Sequence, residues 1–213
     1  MIASPSLLMQ IVRNRLSMTA VALALFGCGS LHVQPPPMAI YGLGLGERSA
    51  LPPTLAPAQI VVLVPPWLES STMQYRLGWD APERRRAFAE SRWASVPGAM
   101  LALVLERTLA QDSASGRCRL RIELDEFVHE FASPERSSTR IVLRAGLLPP
   151  RPGIALASRE FTVEEPAPTP DARGGARAFR AGAQRLAVEL SDWIVTLDRE
   201  LHGGLNARGR CGA

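Results

Sequence analysis

The sequence predicts an α+β fold: a mostly antiparallel sheet of about four to five strands, with two main helices packed on one face. Three observations predict it. Residues 117–127 alternate strictly, with Leu120, Ile122 and Leu124 to one side and Arg119, Arg121, Glu123 and Asp125 to the other. That is the pattern of a strand with one face buried and one in water. Two further strand-like runs follow at 139–148 and 154–163, separated by turn-forming residues, so the three read as a meander. Finally, two long segments, 82–111 and 176–202, carry apolar residues every three or four positions, as amphipathic helices do.

In chain order, residues 39–43 form a first short strand, weakened by glycines. Residues 59–67 hold five consecutive aliphatics, Ile60 to Val64, which reads as a strand buried on both faces and stopped by Pro65-Pro66. Residues 73–76 alternate and form a short second strand. In 82–111 the apolar face comprises Trp93, Met100, Leu101, Val104, Leu105, Thr108 and Leu109. Pro97 lies inside this run; proline is tolerated in a first turn, so it starts the main helix and a separate short helix precedes it. Ser133 to Ser137 is a turn, and Pro149, Pro150, Pro152 and Gly153 set off the last strand. A Pro-rich loop at 165–175 leads to the second helix, whose face carries Phe179, Ala183, Leu186, Leu190, Trp193, Leu197 and Leu201. Gly203-Gly204 ends it.

The domain plan follows: 1–27 signal peptide, 28–57 lipidated N-terminus and Pro/Gly-rich tether, 58–202 one domain, 203–213 a tail. Arg13 and Arg15 precede an apolar run from Leu16 to Phe26, the layout of a secretory signal. The run is shorter than the roughly 20 residues a membrane span needs. Leu25-Phe26-Gly27-Cys28 resembles the bacterial lipobox, which implies cleavage before Cys28 and acylation of its thiol. Met1 and Met9 are both plausible starts. Pro35-Pro36-Pro37 and Pro52-Pro53 give the tether the composition of a semi-stiff spacer.

The net charge is +4, and every one of the 24 basic residues is arginine. Cleavage before Cys28 removes 27 of the 213 residues, leaves 186, and lowers the charge to +2, since Arg13 and Arg15 leave without an acid. The arginines are interleaved with acids, so composition excludes a nucleic-acid binder. The cluster Arg84-Arg85-Arg86 reads as solvated surface. With Cys28 acylated, the three cysteines become two. In an oxidising compartment Cys118 and Cys211 are a candidate disulfide. A buried free Cys118 beside a loose Cys211 is the alternative.

No catalytic constellation stands out, and no metal or cofactor is called for beyond the covalent lipid. His32, His129 and His202 have no metal-ligand spacing. His129 sits between acids and reads as a solvated strand end, and His202 as a helix-end residue near the dipole. Gly42-Leu43-Gly44-Leu45-Gly46 lacks the lysine of a phosphate loop. The residues that invite a functional reading are Trp67, Leu68, Met73, Tyr75 and Trp79, a candidate partner-docking patch, because Trp and Tyr often anchor interfaces. Trp193 belongs to the core face of its helix.

The order of these features resembles a known family. A lipobox is followed by Tyr41-Gly42-Leu43, an aliphatic strand, Trp67-Leu68, Met73-Gln74-Tyr75-Arg76, then Arg92-Trp93-Ala94-Ser95-Val96-Pro97 leading into a helix, and finally Ser191-Asp192-Trp193-Ile194 in the last helix. This resembles the ABC-type transport auxiliary lipoproteins, the PqiC-like family, over about residues 39–196. The resemblance implies a non-enzymatic, lipid-anchored subunit. Its partners would be an MCE-domain protein and an ABC permease and ATPase that move phospholipid or other hydrophobic cargo. Gly29 is not the aspartate that retains many lipoproteins in the inner membrane, which implies the periplasmic face of the outer membrane. The alternative is an assembly lipoprotein supporting an outer-membrane channel or lipopolysaccharide export. Homo-oligomerisation is left open.

Overall fold

Seven strands share one mixed sheet, and two helices cover one of its faces. The computed structural model describes residues 37–47, 51–109, 116–207 and 210–211; the signal segment and Cys28 lie outside them. The strands are β1 (Ala39–Tyr41), β2 (Gln59–Leu63), β3 (Thr72–Leu77), β4 (Arg86–Trp93), β5 (Arg119–Ser133), β6 (Arg136–Leu148) and β7 (Ala157–Pro166). The helices are α1 (Pro97–Leu109) and α2 (Ala172–Glu200). Sheet order is β1-β4-β3-β5-β6-β7, with β2 also paired to β5.

This corrects the expected sheet of four to five mostly antiparallel strands. Three pairings are parallel: β1 with β4, β2 with β5, and β3 with β5. The antiparallel meander exists, but it is only the β5-β6-β7 part. The fifteen-residue β5 is long enough to seat two strands along one edge. Gln59 to Leu63 runs beside Arg119 to Glu123, and Tyr75 to Leu77 runs beside His129 to Phe131. Between them the chain steps out through a 3-10 turn, Pro66–Leu68. Each piece is too short to announce the shared lane in sequence.

The strand β4 replaces the expected short helix before Pro97. Arg, Ala and Glu give it helical propensity, but it is hydrogen-bonded to β3 on one side and β1 on the other. Pairing on both edges overrides a weak local preference. Pro97 does start α1. The expected double burial of β2 also fails. Ile60 is buried, yet Val61 and Leu63 are 37% and 43% exposed, because only one face of the strand has a helix over it.

The helix α2 begins at Ala172, inside the segment expected to be a Pro-rich loop. Asp171 caps it, its carboxylate accepting from the Gly174 N–H at 2.7 Å. Two adjacent glycines hid this turn. Gly175 is there for space: a Cβ would lie 2.5 Å from His129 Nδ1.

The core lies between the helices and the sheet. Its centre is aromatic: Phe127 and Phe179 stack at 4.0 Å, and Trp93 meets Phe179 edge-on at 5.3 Å. On β5 the inward residues are Leu120, Ile122 and Leu124, then Phe127, His129 and Phe131. The change of phase falls at a register shift between Leu124 and Glu126, as a bulge produces.

The opposite face of the sheet carries charge. Arg144 bonds Asp125 and Glu123, each at 2.9 Å, and Arg140 bonds its cross-strand neighbour Glu164 at 2.8 Å. The Arg144 hydrogen bond holds the Asp125 carboxyl below its ordinary pKa. Of the cluster Arg84-Arg85-Arg86, expected to be solvated surface, two members are half-buried in ion pairs. Arg85 and Arg76 both bond Glu126 at 2.8 Å, and Arg86 bonds Asp80.

Candidate functional site

Two of the five residues expected to form a docking patch are not at the surface. Leu68 and Met73 are 2% and 1% exposed and belong to the core. Tyr75 is half-buried, 4.7 Å from Phe88 and 5.6 Å from Phe131, ring to ring. Trp67 and Trp79 stand out at 54% and 49% exposure, one before β3 and one after it. Burial of Leu68 pins the turn that presents Trp67, and Gln74 Nε2 donates to the Trp67 carbonyl at 2.9 Å.

Sequence reasoning missed the side chains that accompany Trp67. Among the described strands, β2 pairs only with β5, so no described strand covers its other edge. Val61 and Leu63 are exposed on that strand, four to six residues before Trp67. A short open edge with apolar side chains is the geometry that accepts a partner strand. The run of five aliphatics masked this by suggesting double burial. The signal against that reading was Pro65-Pro66, since proline at a strand end favours an edge.

Cys118 and Cys211 are joined by a disulfide, with Cα atoms 4.8 Å apart across a separation of 93 residues. It ties the segment after α2 to the start of β5. Leu205, 1% exposed, plugs the core beside it, and its N–H donates to Asp198 Oδ1 at 2.7 Å.

His129 is no solvated strand end. It is fully buried, with its ring 4.5 Å from Phe131 and 6.0 Å from Phe88. The reason is that β5 continues past the expected end at 127, after the bulge has turned odd-numbered residues inward. Neither ring nitrogen has a hydrogen-bond partner. Burial holds the imidazole pKa down at about 4, against an opposing pull from Asp171. Between that value and the ordinary 6.5 the unfolded chain binds a proton that the folded chain does not, so acid destabilises the fold there. His129→Leu should therefore remove about 3 kcal/mol of the stability lost between pH 7 and pH 4. Urea unfolding of both proteins at the two pH values checks this. An equal pH loss in both would contradict it.

Among the described residues no group of three or more His, Cys, Asp or Glu could hold a metal ion. Among them, too, no helix is long and apolar enough to cross a membrane.

A layered protein with an open sheet edge is thus the class that fold and surface define. Residues 43–191 match the model of the ABC-type transport auxiliary lipoprotein component. The chain belongs to that family. In fold it is similar to protein XCC0632 from Xanthomonas campestris, with a TM-score of 0.65, 21% identity, and coverage of 76% of this chain and 99% of that one. A second similar structure, an uncharacterized protein, gives a TM-score of 0.57 at 15% identity and covers 74% and 99%. No curated protein matches the chain in sequence.

Proposed function

We propose that this auxiliary lipoprotein is a non-enzymatic subunit of an ABC/MCE-type envelope transporter for phospholipid or other hydrophobic cargo. It is held by acylated Cys28 on the periplasmic face of the outer membrane. An MCE-domain protein and the permease and ATPase of the same system are its partners. The family match across 43–191 carries the reading. The open β2 edge with Trp67 beside it supports a role in holding a protein partner.

Two variants test it. Cys28→Ala should leave an unacylated precursor that no longer fractionates with the outer membrane; unchanged fractionation would refute the anchor. Trp67→Ala should weaken capture of the partners about tenfold or more, as loss of an interface anchor does, while leaving the unfolding midpoint in place. Equal capture would count against the edge as the docking surface.

A further inference from the structure

We propose that the groove between the 42–45 loop and α1 rests on the bilayer that holds the anchor. The groove measures about 390 Å³ and is lined chiefly by Leu43, Leu45, Ala99, Met100 and Leu103. Leu45 is 55% exposed and Leu103 48%. Leu103 lies on the exposed side of α1 with Ala99, one turn before Glu106 and Arg107, and no element of the described chain covers it. Exposed apolar side chains are also found at the edge strand β1: Met38, just before it, is 48% exposed and Ile40, within it, 57%.

The chain between Cys28 and the groove is short enough to allow lipid contact. Cys28 precedes Pro37, the first described residue, by nine positions. Nine residues span at most about 30 Å. The groove begins at Gly42, five residues on, no more than about 17 Å of extended chain. An acylated Cys28 therefore keeps the groove within about 47 Å of lipid, measured along extended chain. The rim also suits a membrane surface. At Gly44, whose φ is +73°, a Cβ would meet the Arg180 guanidinium at 3.3 Å. A cation beside exposed leucines matches a phosphate headgroup above acyl chains. Lipid contact here would fix the orientation of the domain, which one acyl anchor on a tether does not.

This inference rests on the anchor at Cys28. The test is photocrosslinking in the envelope, with p-benzoylphenylalanine placed in the full chain at Leu45, at Leu103 and, as control, at Ile154. Ile154 is 91% exposed in the loop between β6 and β7. After irradiation, phospholipid adducts are measured by mass, together with the mass of the N-terminal peptide. The expected result is at least fivefold more lipid adduct at positions 45 and 103 than at 154, falling to the 154 level in a Cys28→Ala chain. Acylated Cys28 with no excess of lipid at 45 and 103 overturns this inference and leaves the anchor standing. Adducts to protein at those positions, including a second copy of the chain, also overturn it. An unacylated N-terminus overturns both.

Discussion

The Cys118→Ser/Cys211→Ser double variant should unfold with about 4–5 kcal/mol less stability than the parent. The disulfide closes a loop of 93 residues. In the chain-entropy model a loop of that size confines the unfolded ensemble by about that much. Both cysteines are 4% exposed, so the bridge lies in the core and not on a loose tail. Otherwise the segment is tied to the fold by buried Leu205 and its N–H bond to Asp198, and is held to itself by the Cys211 N–H donating to the Leu205 carbonyl at 2.9 Å and by Arg210 donating to the Gly204 carbonyl at 2.8 Å. Urea midpoints measured with and without reductant check the prediction. Reductant should lower the parent to the level of the variant and leave the variant unchanged. Equal midpoints for parent and variant would show that the bridge does not constrain the chain.

Phe179→Ala should cost about 3–5 kcal/mol, the usual range for an aromatic lost from a packed core. Phe179 is 1% exposed and lies against Phe127 at 4.0 Å and Trp93 at 5.3 Å. One ring from α2 thus joins β5 to the end of β4. The gap left by its removal would open between α2 and a sheet whose backbone is fixed by strand pairing, so collapse would be limited. Phe179→Leu should cost less than half as much. A loss below 1 kcal/mol for the alanine variant would mean that the aromatic centre does not hold helix to sheet.

The parts of the fold legible in sequence are those whose pattern is set by one dominant environment. Arg119 to Asp125 alternates because one face meets α1 and α2 and the other meets water. Pro97 marks α1 because its fixed φ suits a first turn. Cys118 and Cys211 were legible from redox chemistry and parity. What escaped depends on contacts distant in sequence. β4 looked helical until its two neighbours are known. Val61 and Leu63 looked buried because nothing local says that β2 has a single partner. His129 looked solvated because a bulge at Leu124–Glu126 reverses the faces of the strand beyond it. Leu68 and Met73 looked like surface companions of Trp67, yet they are the residues that hold its turn in place.

The central claim is that this chain serves as an auxiliary subunit of an ABC-type envelope transporter. Purifying the full-length lipidated protein from gently solubilised membranes and identifying its partners tests that most directly. The account predicts recovery of an ABC permease, its ATPase and an MCE-domain protein, with the yield reduced by Trp67→Ala. Recovery of the lipoprotein alone, or with channel-assembly proteins in their place, would contradict it.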